Sequence, residues 1–91
     1  MNSEAPEGWQ RVRTEGVEAL QRRWVFDDFQ HTMGFVNAVA ALAQRLDHHP
    51  DLHVGQRHCT VFWTTHDVGR LTERDLRAAE AVNALPESAQ A

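Results

Sequence analysis

The sequence predicts an α+β domain in which an antiparallel four-stranded sheet carries helices on one face, in the order β-β-α-β-β-α. Three observations lead there: a helical repeat of apolar residues across the middle of the chain, strand-like runs flanking it in pairs, and a capped amphipathic segment near the end. Residues 9–13 and about 20–26 carry Trp and Val amid polar neighbours, and 14–16 offer a turn between them, which reads as a β-hairpin. In the second run Leu20, Trp24 and Phe26 share one parity, interrupted by Arg22, as in a half-buried strand. Asp27 is then placed to cap a helix, with Gln30 three positions on able to reach back to the cap's own N–H. From there Phe29, Met33, Val36, Ala40 and Ala43 recur at spacings of four and three, with Phe35, Val39, Leu42 and Leu46 widening the stripe. This helix must stop near His48, because Pro50 lacks an N–H and drives His49 out of the α region.

A short loop or strand around residues 52–54 follows, and then residues 58–66, rich in β-branched and aromatic side chains, read as a strand. Its period of two puts Cys59, Val61, Trp63 and Thr65 on the face that packs against the helices and Thr60, Phe62, Thr64 and His66 on the more polar face. Thr72 caps the last helix with Asp75 three residues on, and Leu71 and Leu76 are placed as a hydrophobic staple. Leu76, Ala79, Val82 and Leu85 form its inward stripe, and residues 87–91 read as a frayed tail. We therefore expect one domain over residues 1–91, ordered from about 8 to 86.

Composition narrows the function classes. With 91 residues, 42% of them apolar and 24% charged, the chain has room for one small domain and is too apolar to stay disordered. A domain this small buries only about 60% of the surface of its unfolded chain, so self-association is a natural way to cover the remainder. The nine basic residues are all Arg against 13 acidic ones, a formal charge of −4, which argues against a nucleic-acid partner. No stretch is long and apolar enough to cross a membrane, and residues 1–8 lack the blocks of a signal peptide, so we expect a cytoplasmic protein without a membrane partner. Cys59 is the single cysteine, which excludes an intramolecular disulfide and a four-thiolate zinc site. On a buried strand face its thiol is expected to be inert.

Histidine carries the chemical signal, with five of the six between His48 and His66. His48 and His49 close a helix, whose C-terminal partial negative charge favours an imidazolium, and Pro50 fixes the exit of the chain. His66 at the end of a neighbouring strand would complete a cluster able to donate and accept protons without a metal. Each feature also has a plainer reading: a histidine at a helix end is a favourable dipole partner, and Asp75 is the third-position member of a capping box. His31, His53 and His58 are read as structural or surface residues, and Phe62 and Trp63 as core. His48, His49, His53, His58 and His66 lack the paired spacing of a helical zinc motif, and no glycine-rich phosphate loop is present.

The run Leu46-Asp47-His48-His49-Pro50-Asp51, then Thr64-Thr65-His66-Asp67, then Leu71-Thr72-Glu73-Arg74-Asp75 resembles the signature of the pterin-4a-carbinolamine dehydratases. Residues 24–29 and Gly34-Phe35 are also similar to that family's entry from strand into helix, so the likeness spans about residues 9–85. The resemblance implies a lyase that dehydrates 4a-hydroxytetrahydrobiopterin to quinonoid dihydropterin by histidine acid–base catalysis, with no metal and no cofactor of its own. It implies a catalytic set of His48, His49, His66 and Asp75, within which we assign His48 and His66 to the acid–base pair and Asp75 to orienting or balancing one imidazole. His49, Pro50, Thr64 and Thr65 are the implied substrate-binding set. A homodimer or homotetramer is implied as well, with an aromatic amino-acid hydroxylase in the same pathway.

Three positions depart from the family pattern: Gln44 stands where a carboxylate is usual, Gln56 where an aromatic is frequent, and Arg70 where the loop usually carries a smaller residue. They sustain an alternative reading, a catalytically weak relative acting as a binding, dimerisation or coactivator module.

Overall fold

A computed structural model describes residues 5–91. Its elements are β1 (Gln10–Thr14), β2 (Val17–Val25), α1 (Phe29–Leu46), β3 (Asp51–Val54), β4 (His58–Trp63), α2 (Glu73–Asn83) and a closing 3₁₀ helix (Pro86–Gln90). The four strands form one antiparallel sheet, as the sequence predicts, and the structure sets their spatial order as β1-β2-β4-β3. Thr14 pairs with Val17, so Glu15 and Gly16 alone make the first turn, and both have positive φ (53° and 81°). A two-residue hairpin loop with that backbone matches the twist of the strands it joins, and glycine at its second position makes it accessible.

Registry aligns Leu20 with Trp63 and Trp24 with Cys59, which places these side chains with Val61 on one face of the sheet. Both helices lie on that face, and Phe35, Val39, Leu42, Ala43, Ala78, Ala79 and Val82 complete a single core. Trp24 packs on Phe35 at a ring-centroid distance of 4.7 Å and edge-on to Trp9 at 5.6 Å. Burying each large apolar side chain stabilises the domain by about 1.5–3 kcal/mol. Asn83, at the end of α2, ties in the N-terminal segment: its Oδ1 accepts from Trp9 Nε1 and from Arg22, each at 2.9 Å, and its Nδ2 donates to the Glu7 carbonyl.

Several expectations change at element boundaries. The cap of α1 is Asp28 rather than Asp27, and its carboxylate accepts from the His31 N–H at 2.8 Å, so Gln30 has no part in a capping box. The inward face of α1 runs through Thr32, Phe35, Val39, Leu42 and Ala43, while Phe29 and Ala40 are exposed, because the sheet meets the helix on that side. On α2 the buried stripe is Asp75, Ala78, Ala79 and Val82, with Leu76 and Leu85 half-buried at its margin. The C-terminal residues take a 3₁₀ turn in place of an irregular tail: the Ser88 hydroxyl lies within hydrogen-bond reach of the carbonyls of Asn83 (3.1 Å) and Leu85 (2.7 Å).

The α1 cap responds to acid. The His31 backbone N–H, and then its imidazole, hold the Asp28 carboxyl below the usual carboxylate range. A lowered folded-state value means that the carboxylate's contribution is complete above about pH 4 and is lost as the pH falls through the lowered value. The protection factor of the His31 amide, taken against the intrinsic exchange rate at each pH, should therefore fall on acidification below that range, and an Asp28→Asn variant should show a flatter response.

Candidate active site

The candidate site is the corner where α1 ends, β4 ends and α2 begins. Helix α1 terminates at Asp47, which adopts the left-handed conformation (φ 51°) and sends its N–H back to Ala43 and Gln44. The His48 N–H also returns to the Ala43 carbonyl, at 3.2 Å, so the histidine leaves the helix in a determined direction. His48 is 8% exposed, and its ring stacks on Trp63 with centroids 5.2 Å apart and planes 23° apart.

From below, His48 Nε2 meets Asp75 Oδ1 at 2.7 Å, and Asp75 is fully buried. The other carboxylate oxygen accepts from the Thr65 hydroxyl at 2.7 Å and from the Thr72 N–H at 3.0 Å. The proton of the Thr65 hydroxyl is thus committed to Asp75, so in the 2.7 Å contact between the two threonine hydroxyls Thr72 is the donor. A carboxylate is an acceptor only, so the His48–Asp75 bond requires the proton on His48 Nε2. That leaves Nδ1 as the ring nitrogen outside this bond. Asp75 thus fills the capping-box role and the histidine-orienting role together, one through each oxygen.

His49, next in the chain, is exposed, and its Nε2 lies 2.8 Å from Gln44 Oε1, one helical turn back on α1. His48, His49, Thr65 and His66, with Asp47, Asp67 and Arg74, line a depression of about 190 Å³. β4 ends at Trp63, three residues earlier than expected, because Thr64 turns its hydroxyl to the Glu18 carbonyl (2.6 Å) and Thr65 pairs with Arg70 across a short turn. His66 therefore sits in that turn beyond the strand, exposed, with Gly69 at φ 67° closing it.

Of the expected catalytic set, His48 and Asp75 are in direct contact, and His49 and His66 reach the same depression from α1's exit and the β4–α2 turn. Of the expected binding set, Thr65 lines this depression and Thr64 lines an adjoining groove, while both hydroxyls are engaged within the protein. Pro50 is half-buried at the start of β3. Sequence reasoning missed Arg74 and Asp67 in the lining and the stacking of His48 on Trp63. The inward parity of Trp63 was the available signal, but it does not say which ring would lie against the indole. The departures sit differently from one another: Gln44 contacts His49, Gln56 gives its carbonyl to the Thr32 hydroxyl at 3.1 Å, and Arg70 is exposed beside the turn.

Cys59 is fully buried, and burial pushes its thiol up to about 11. A thiol reagent at pH 8 should leave the folded protein unlabelled and modify one cysteine per chain once denaturant is added. Among the described residues no three His, Cys, Asp or Glu side chains converge as metal ligands, and no helix is long and apolar enough to cross a membrane.

Fold and site define a small α+β domain with imidazoles gathered at a helix exit, one of them paired to a buried carboxylate. The family model described as "Pterin 4 alpha carbinolamine dehydratase" matches residues 1–85. A protein of Nitrobacter winogradskyi with the provisional name pterin-4-alpha-carbinolamine dehydratase is 45% identical over 78 residues, covering 86% of this chain and 75% of the relative. A similarly named protein of Stenotrophomonas maltophilia is 48% identical over 80 residues, covering 88% and 67%. The chain belongs to the pterin-4-alpha-carbinolamine dehydratase family. Among solved structures, the transcriptional coactivator/pterin dehydratase of Brucella melitensis superposes with a TM-score of 0.76 at 36% identity, over 86% of this chain and 81% of its own. A pterin dehydratase-like protein identified as a RuBisCO assembly factor in the alpha-carboxysome shares the fold, with a TM-score of 0.74 at 20% identity over 93% of this chain and 94% of its own.

Proposed function

We propose that the chain is a hydro-lyase that removes water from a 4a-hydroxytetrahydropterin, such as 4a-hydroxytetrahydrobiopterin, to give the quinonoid dihydropterin. The observation that carries this reading is the buried His48–Asp75 pair at the edge of a small depression shared with His49 and His66. Breaking the C4a–O bond needs an acid to protonate the departing hydroxyl, and forming the C4a–N5 double bond needs a base to take the N5 proton. One proton is delivered and one removed, so water leaves and the site ends with the protons it began with in number. Histidine serves both roles near neutral pH, and such help is worth about 10²–10⁴-fold in rate.

His48, with Nε2 committed to Asp75, takes or gives the proton at Nδ1, and His66, which lines the same depression, is the second proton-transfer group. His49, steadied by Gln44, contacts the pterin ring, together with Pro50, Thr64 and Thr65. Asp75 works through His48 as a positioning residue. The reaction needs neither a metal nor a cofactor. We further propose a cytoplasmic homodimer or homotetramer serving an aromatic amino-acid hydroxylase. In support of assembly, Val25, Phe29 and Val54 are each more than 40% exposed, apolar surface that association would cover.

A scaffold or coactivator role finds support in the Brucella relative, which is named a transcriptional coactivator as well as a pterin dehydratase. Such a role, however, has no use for a buried, hydrogen-bonded His48–Asp75–Thr65 chain. The test is the dehydration rate of 4a-hydroxytetrahydropterin, generated in place by a hydroxylase, with and without the purified chain. Acceleration above the spontaneous rate is expected. Its absence with protein shown to be folded would turn the assignment to the scaffold reading.

A further inference from the structure

We propose that the Thr65 hydroxyl is a positioning group for the reaction: it fixes the rotation of the Asp75 carboxylate, so that one oxygen faces His48 and the His48 ring keeps Nδ1 for the substrate. The catalytic consequence rests on the dehydration reading above.

A carboxylate that aims an imidazole has a rotation of its own about the Cβ–Cγ bond, a broad torsion that only its neighbours can fix. The Asp75 side chain is held by three groups: His48 at Oδ1, and the Thr65 hydroxyl and the Thr72 N–H at Oδ2. Of the two bonds to Oδ2, the one from Thr65 is the shorter, 2.7 Å against 3.0 Å. The order of the hydroxyl protons is set from the far end of the chain of bonds. Thr72 Oγ1 accepts from the Arg74 N–H at 3.3 Å and donates to Thr65 Oγ1 at 2.7 Å, so Thr65 has its own proton to give to Asp75. Each donation polarises the next bond and strengthens it. Thr65 is 4% exposed and Asp75 0%, so water does not compete for these groups.

Thr65 is held in place without its hydroxyl. Its N–H donates to the Arg70 carbonyl at 3.4 Å, and its carbonyl accepts from the N–H groups of Val68 at 3.2 Å and Gly69 at 2.9 Å. The turn therefore keeps its form when the hydroxyl is removed, and Thr65→Val, which is close to threonine in shape, isolates the hydroxyl. This positioning role belongs to the hydroxyl, and contact with the pterin is left to the remainder of the side chain.

The experiment compares wild type, Thr65→Val and Thr65→Ser in two measurements. The first needs no substrate: the His48 Nε2–H, bonded to a buried carboxylate, should give a persistent downfield imidazole proton resonance in wild type. The resonance should broaden or vanish in Thr65→Val, as the loosened carboxylate lets the proton exchange with solvent, and persist in Thr65→Ser. The second is steady-state dehydration, where Thr65→Val should lower kcat about tenfold with KM within about twofold of wild type, and Thr65→Ser should recover most of the loss. Thr65→Ala takes the place of Thr65→Val if the valine variant does not fold. A resonance missing from wild type, or undisturbed in Thr65→Val, overturns the proposal. A rise in KM as large as the fall in kcat would make the hydroxyl a substrate contact, and equal losses in the Ser and Val variants would trace the effect to the methyl group; either result overturns it. No acceleration by folded wild type marks failure of the dehydration reading, and the catalytic role of Thr65 falls with it; the substrate-free resonance tells that failure apart from a failure of the positioning itself.

Discussion

Replacing Asp75 by Asn should leave the domain folded and lower kcat for pterin dehydration by about 10²–10⁴-fold, whereas Asp75→Ala should cost both activity and fold. The difference follows from the bonding of one side chain. In the Asn variant the amide oxygen can still accept from Thr65 and the Thr72 N–H, which keeps the cap of α2, but the amide nitrogen then donates toward His48. His48 Nε2 must become the acceptor, the ring proton moves to Nδ1, and the nitrogen assigned to proton exchange is occupied. In the Ala variant the Thr65 hydroxyl, the Thr72 N–H and the His48 ring lose their buried acceptor together. Removing one member of a buried polar pair typically costs about 3–5 kcal/mol, and a domain of this size has on the order of 5–13 kcal/mol in all. Urea unfolding followed by circular dichroism, run beside single-turnover dehydration, separates the two variants. Full activity in Asp75→Asn would remove Asp75 from the mechanism and reduce it to a cap.

His48→Ala should abolish the acceleration over the spontaneous reaction while His49→Ala raises KM more than it lowers kcat. The first variant removes the imidazole held between Trp63 and Asp75, and the second removes a ring that Gln44 steadies at the exposed rim. The pH–rate profile supplies the readout that a structural role would not move. Loss of His66 should delete one limb of a bell-shaped profile, since each limb reports one of the two proton-transfer groups. A profile unchanged in both His48→Ala and His66→Ala would refute the acid–base assignment.

The architecture was legible because it depends on local patterns that each element carries by itself. Pro50 after His48 ends α1, residues 14–16 offer a turn, and Thr72 with Asp75 makes a capping box, all read within a few residues of chain. The misreadings lie where two local solutions compete. Asp27 and Asp28 are equally good caps in sequence, and the choice of Asp28 accompanies the docking of Thr32 and Phe35 against the sheet. The extended run through His66 has uninterrupted strand character, yet the Thr64 hydroxyl finds the Glu18 carbonyl of β2 and the Thr65–Arg70 bridge turns the chain. Neither partner is near in sequence.

The order of elements, the family and the identities of the imidazoles were all contained in the linear chain, since these follow from periodicity, capping chemistry and short motifs. What those imidazoles touch was settled by packing. Asp75 lies 27 residues from His48, and nothing in either local pattern distinguishes a cap from a histidine partner until α2 docks beside the end of α1. The same docking sets Trp63 against the His48 ring, in a depression that His66 also lines. A hydrogen bond or a stacked ring is a relation between elements across space. It is fixed by how the helices settle on the sheet, and so becomes readable only when the core that holds them together has formed.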